Sequence, residues 1–144
     1  MKILMGVDDS NFAEDSLRAI LTERRTENTE VLILHVLQPV GPAPPQMTYG
    51  YAPELEAEKK AADALLARIA GELRSAGFKV ETRMGVGDVR EGILDSAAEW
   101  GADLIVVGSH GNSGIQRFLL GSVSEFVARH AKCSVEIVRA PRST

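Results

Sequence analysis

Residues 104–125 read LIVVGSHGNSGIQRFLLGSVSE. Leu104 to Val107 is a short apolar run, the length of a strand covered on both faces of a parallel sheet. Gly108 to Gly121 is rich in glycine and serine and reads as a loop. From Ser122 the pattern becomes helical. Ser122 and Glu125 form an S-x-x-E capping pair, and Val123, Phe126, Val127 and His130 fall on one helical face. Val135, Ile137 and Val138 then supply one more strand.

The same alternation runs back to the amino terminus. Ile3, Leu4, Met5 and Val7 form a strand that ends in Asp8, Asp9 and Ser10. Ser10 or Asn11 caps the helix that follows, with Glu14 three residues after Asn11. Phe12, Ser16, Leu17, Ile20 and Leu21 hold helical spacing along it. Val31 to Val36 is the second strand. Residues 38–53 hold five of the six prolines and both tyrosines, so this stretch reads as a flexible loop without regular structure. Glu54 to Ala76 reads as one long helix with a stripe of Leu55, Ala62, Leu66, Ile69 and Leu73, and Gly77 stops it. Phe78 to Arg83 alternates apolar and charged residues, as a half-exposed or edge strand does. Gly85 and Gly87 mark a turn. Asp88 and Glu91 open a helix whose apolar face carries Val89, Ile93, Leu94 and Ala97, and Gly101 ends it.

Strict alternation of short apolar strands with helices predicts an α/β fold: a doubly wound parallel sheet with helices on both faces. Ligands of such sheets bind beyond the carboxyl ends of the strands, where the winding reverses. Those ends are Asp8, Val36, Gly85 to Asp88, and Gly108 onward.

The chain has 144 residues, which predicts a single domain over 1–144. Hydrophobic residues are 44% and charged residues 25%, ordinary for a globular protein. Sixteen basic against twenty acidic residues give a net charge of −4 and argue against nucleic acid as a partner. Small anions stay open, because backbone amides bind them at no cost in net charge. The single cysteine, Cys133, excludes an internal disulfide framework. The opening apolar run is too short for a signal peptide or a membrane span, so a cytoplasmic protein with no membrane partner is expected. There is no Walker loop. His35, His110 and His130 lack metal-ligand spacing, so no protein-held metal site is expected. Ser109, Ser113 and Ser124 lie near the glycine loop without a legible His–Asp pair, so no catalytic residue is assigned.

The loop itself has the spacing G-x2-G-x9-G followed by Ser122, with the glycines at Gly108, Gly111 and Gly121. Glycine permits close approach of backbone to ligand and positive φ. The helix start beyond offers free N–H groups and a partial positive charge, an anion site. A plain turning loop with an ordinary serine cap is the competing reading. Asp8, at a strand end, either accepts from ribose hydroxyls or caps the first helix.

With these motifs in hand, the chain resembles the universal stress protein family. The resemblance rests on VDDS at 7–10, LILHV at 32–36, ADLIVVGS at 102–109, the complete glycine motif, Leu119 to Glu125, and Arg129 to Cys133. The sequence departs from the family pattern at Asp9, His110, Asn112, Ser134 and Glu136. The resemblance implies five strands in the order 3-2-1-4-5 and a homodimer joined through the last strand, 134–139. It also implies ATP binding: Asp8 on the ribose, the Val36 backbone on the adenine, and Gly108, Gly111, Gly121 and Ser122 on the phosphates. No lysine sits in the loop and Arg117 is its only cation, so Mg or Mn is expected to bridge the phosphates. The expected role is regulatory stress response, with at most weak ATP hydrolysis. Two alternatives are a dimeric interaction protein that binds no nucleotide and a slow ATP hydrolase using Asp8, Asp9 or His110. A response-regulator receiver is disfavoured, because the second strand ends without an aspartate.

Overall fold

The computed structural model describes residues 1–7, 12–38, 53–109 and 121–139. Its elements alternate: β1 (Lys2–Val7), α1 (Phe12–Glu23), β2 (Glu30–Leu37), α2 (Pro53–Ser75), β3 (Lys79–Val86), α3 (Val89–Trp100), β4 (Leu104–Gly108), α4 (Ser122–His130) and β5 (Ser134–Val138). All neighbouring strands pair parallel, in the order β3-β2-β1-β4-β5. This is the doubly wound order expected from the sequence.

The apolar runs are continuous because both sheet faces are covered. In β2, Val31 to His35 and Leu37 are all buried. One face packs Ile3, Met5, Val31, Ile33 and Val106 against Leu17 and Ile20 of α1 and Leu66, Ile69 and Leu73 of α2. The other packs Leu4, Leu32, Leu34, Ile105 and Val107 against Ile93 and Ala97 of α3 and Val127 of α4. Each fully buried aliphatic side chain contributes about 1.5–3 kcal/mol of transfer free energy. Thus α1 and α2 cover one face, α3 and α4 the other, and the winding reverses between β1 and β4.

Boundaries moved where local chemistry allowed it. The long helix starts at Pro53, one residue before the expected Glu54. Proline is tolerated in a first helical turn, where its missing N–H has no intrahelical acceptor to lose. The third strand runs on to Val86, so Gly85 lies within it, paired with Val36. Only Gly87 turns the chain, at φ 134°, and its N–H donates to Leu37 O at 2.8 Å. Leu21, expected on the apolar face of α1, is 37% exposed. The proline-rich stretch at 39–52 lies outside the described residues, as does Leu55's side chain.

The two edges of the sheet differ. On β3, Lys79, Glu81 and Thr82 are exposed, a charged edge that discourages strand addition. On β5, Glu136 turns inward toward α1, where its Oε1 lies 2.9 Å from Arg24 Nη2. The two side chains are only 27% and 25% exposed, so solvent screens the pair less than a surface pair. It joins the end of α1 to the last strand across 112 residues of sequence. Replacing either residue alone by alanine should cost about 1–2 kcal/mol, between the surface and buried limits. A double-mutant cycle by urea unfolding should show the double variant losing clearly less than the sum of the two single losses.

Candidate functional site

The two halves of the sheet join between β1 and β4 and are tied at the amino end. At the amino end, the Lys2 N–H donates to the Asp103 carboxylate at 2.8 Å. The Asp103 N–H donates back to Lys2 O at 2.8 Å. The Lys2 ammonium donates to Trp100 O at 3.1 Å and lies 5.0 Å from the Trp100 ring centroid. From there β1 and β4 pair over Ile3↔Leu104, Leu4↔Ile105 and Met5↔Val106. Each strand then continues with its outer neighbour: β1 with β2 as far as Val7↔His35, and β4 with β5 as far as Gly108↔Val138. Among the described residues, the β1–β4 pairing ends at Met5↔Val106. The carboxyl edge beyond it is where doubly wound sheets take ligands. Gly6 follows the last pair, and a Cβ there would meet Ile93 Cδ1 and Val107 Cγ1 at 3.3 Å each.

The chain leaving β4 and the chain entering α4 meet at this rim. The Ser109 N–H donates to Val138 O at 2.8 Å, and the Gly121 N–H donates to Ser109 O at 2.6 Å. The buried Ser124 hydroxyl lies 3.0 Å from Gly121 O and 3.3 Å from Ser109 O. Residues 110–120 thus depart and return through a hydrogen-bonded neck.

Two of the helices that begin at this edge, α3 and α4, have their caps among the described residues, and of these only α3 is closed by a side chain. Asp88 caps α3: its carboxylate accepts from Arg90 N at 2.9 Å and Glu91 N at 3.2 Å. The Arg90 guanidinium, foremost, and the Glu91 amide hold the exposed Asp88 carboxyl below its ordinary pKa. The cap of α4 is Gly121, which has no side chain to accept. The first intrahelical bond there runs from Glu125 N to Gly121 O at 3.0 Å. The amides of Ser122, Val123 and Ser124 therefore have no intrahelical acceptor. Arg129 and His130 in the last turn complement the helix dipole. Chemically, the start of α4 beside the end of β4 offers uncapped helix amides of the kind that suit an anion.

Of the expected site residues, the structure brings three to one neighbourhood: Gly108 ends β4, and Gly121 and Ser122 open α4. Val36 lies at the same carboxyl edge, one residue past the last described β1–β2 pair. Asp8 and Gly111 lie outside the described residues, as do Asp9, His110, Asn112 and Arg117. The expected Ser122–Glu125 cap is corrected. Gly121 holds the cap position, pinned at both its N–H and its carbonyl, and Ser122 is the first helical residue, exposed. Glu125 instead pairs with Arg129 at 2.9 Å. Positive φ is not what Gly121 supplies, since its backbone is extended at φ −65° and ψ 159°. What glycine contributes there is the lack of a Cβ.

The functional reading of the sequence missed Ser109 and Ser124, which it considered only as nucleophiles. A polar residue three before Val127, on the buried side of α4, was the available signal. Cys133 is half-buried. Burial, and less strongly the Asp103 charge, push its thiol up, so it stays protonated and gives no support to a redox role. His130 is exposed against the Phe126 ring, 4.3 Å between centroids, while His35 is buried in β2.

Val36 is set by a glycine on α3. A Cβ on Gly92 would lie 3.0 Å from Val36 Cγ2. Helix propensity favours alanine over glycine by about 0.5–1 kcal/mol, but crowding a β-branched neighbour costs about 1–3 kcal/mol. Gly92→Ala should therefore lose about 1 kcal/mol in chemical unfolding, and the same substitution in a Val36→Ala background should become stabilising. At the other helix start, Asp88→Ala should lower the melting temperature at neutral pH. Because the folded pKa is depressed, this stabilisation is present above the ordinary carboxylate value and is lost as pH falls through the lowered one. The melting-temperature gap between wild type and variant should therefore shrink on acidification.

A doubly wound α/β domain with its switch point between β1 and β4 is what the geometry defines. The sequence pattern of the universal stress protein family matches residues 1–139, and the chain belongs to that family. It is 31% identical to the solved MJ0577 from Methanocaldococcus jannaschii, with 99% of this chain and 97% of that chain covered and a TM-score of 0.85. It is 26% identical to the universal stress protein from Archaeoglobus fulgidus solved in complex with dAMP (96% and 97% covered, TM-score 0.69). A universal stress protein in complex with cAMP is 28% identical (96% and 96% covered, TM-score 0.67). Among the described residues, no helix is long and apolar enough to cross a membrane.

Proposed function

We propose that this chain binds an adenine nucleotide, ATP foremost, in the crevice between β1 and β4. The observation that carries the reading is the start of α4. Its first amides lack a side-chain cap among the described residues, and Gly121 bonds the chain leaving β4 at Ser109. A triphosphate is the anion such a turn suits, because its charge falls at the positive end of the helix. In this reading Gly108, Gly111, Gly121 and Ser122 hold the phosphates, Asp8 the ribose, and the Val36 backbone the adenine. Relatives solved with dAMP and cAMP support the adenine nucleotide as the ligand class.

Among the described residues, no cluster of His, Cys, Asp and Glu is built to hold a metal ion. Mg or Mn would therefore arrive with the nucleotide, ligated chiefly by its phosphates and neutralising their charge. The domain spans 1–144, acts in the cytoplasm as a regulatory stress-response module, and turns ATP over weakly or not at all. It pairs with a second copy through 134–139. The contrast between edges supports that choice, since β3 is charged along its exposed side and Glu136 of β5 is committed to Arg24 within the chain.

Calorimetric titration of nucleotide-stripped protein tests the ligand. ATP with Mg²⁺ should saturate near one per chain, with AMP weaker. Gly121→Val is compatible with the extended backbone there and should keep the fold, at a cap cost of about 1 kcal/mol or less. Its Cβ should remove ATP binding. Absence of ATP binding by the wild type at millimolar concentration would favour the interaction protein without nucleotide. Wild-type affinity in Gly121→Val would sink the assigned phosphate site.

A further inference from the structure

We infer that Ser124 is a positioning residue for the phosphate-binding turn: its buried hydroxyl fixes the neck from which α4 presents its amides. The inference rests on the proposed function.

Ser124 is 1% exposed and Ser109 is 3% exposed, and the buried cluster on the α3–α4 face of the sheet consists of aliphatic side chains. A buried hydroxyl costs free energy unless it finds acceptors, and alanine would fill a small core site without that demand. Serine hydroxyls on helices often bond the carbonyl one turn back, and the 3.0 Å contact to Gly121 O is of that kind. The second acceptor is not. Ser109 O belongs to the chain leaving β4, 15 residues earlier, and lies 3.3 Å away.

Ser109 O also accepts from the Gly121 N–H, and Gly121 O also accepts from Glu125 N. One hydroxyl therefore touches both carbonyls that define the neck, and both belong to residues already engaged in backbone bonds. Ser109 is fixed in turn to the end of β5 through its own N–H to Val138 O. The direction of the Ser122 and Val123 amides follows from the Gly121 peptide, which this network holds from both sides. Loss of the hydroxyl leaves the packing volume almost unchanged but frees that peptide to rotate. The consequence falls on whatever the amides bind, and within a nucleotide that is the phosphates rather than the base.

The test compares wild type, Ser124→Ala and Ser124→Thr by competition titration with ATP and with adenosine, which lacks phosphate. Ser124→Ala should weaken ATP about 3- to 10-fold, the effect of one hydrogen bond, and leave adenosine within about twofold. Ser124→Thr keeps the hydroxyl and should restore most of the ATP affinity. Hydrogen exchange should show the Gly121 amide exchanging faster in Ser124→Ala, with the Val127 amide unchanged. Wild-type ATP affinity in Ser124→Ala, equal losses for ATP and adenosine, or an unchanged Gly121 amide would overturn the inference while leaving nucleotide binding intact. A wild type that binds no ATP would overturn the proposed function itself.

Discussion

Three residue pairs, Ile3–Leu104, Leu4–Ile105 and Met5–Val106, join the two halves of the sheet. Beyond this ladder each strand goes on with its outer neighbour, β1 with β2 to Val7↔His35 and β4 with β5 to Gly108↔Val138. Without it, the cores on the two faces would lose their common wall. Reciprocal hydrogen bonds between Lys2 and Asp103, with Lys2 laid across Trp100, hold the strands together at the amino end. The position of the switch point follows from winding and needs no special residue in the sheet itself.

The two helix starts near the end of β3 and the end of β4 differ. The charge of Asp88 already meets the positive end of α3, so that terminus has little left for an external anion. Gly121 leaves the corresponding end of α4 without such a partner of its own. In the proposed reading, the pairing of one self-satisfied start with one open start would give the site direction: a nucleotide would lay its charge toward α4 and its uncharged portion toward β1 and β2.

The order of elements was legible because burial on both faces leaves an unmistakable mark: apolar runs such as Val31 to Val36, separated by helical stripes such as Leu66, Ile69 and Leu73. Helix ends governed by backbone geometry were legible too, as at Gly101, which takes a left-handed conformation at φ 79°. The order of strands came from family resemblance, since periodicity carries no information about which strands are neighbours. Within the candidate site, the glycine spacing was legible, but the helix cap read at Ser122 sits one position earlier, at Gly121. S-x-x-E is a local pattern, and here a long-range restraint from Ser109 to Gly121 overrode it. The same limit hid Ser124, whose second acceptor is distant in sequence, and the Arg24–Glu136 pair. Single residues reveal their local duties well and their distant partners poorly.

The neck also bears on how such a domain can diversify. The chain between Ser109 and Gly121 leaves and re-enters the fold at one hydrogen-bonded point. The free energy of closing a flexible loop rises by only about 0.6 kcal/mol for each doubling of its length. Because the segment's two ends are held at one point, a change in the number of residues between Ser109 and Gly121 costs little in closure entropy. The neck makes this a place where the chain can lengthen or shorten in one evolutionary step, or accept a graft by design, with its two anchor points kept.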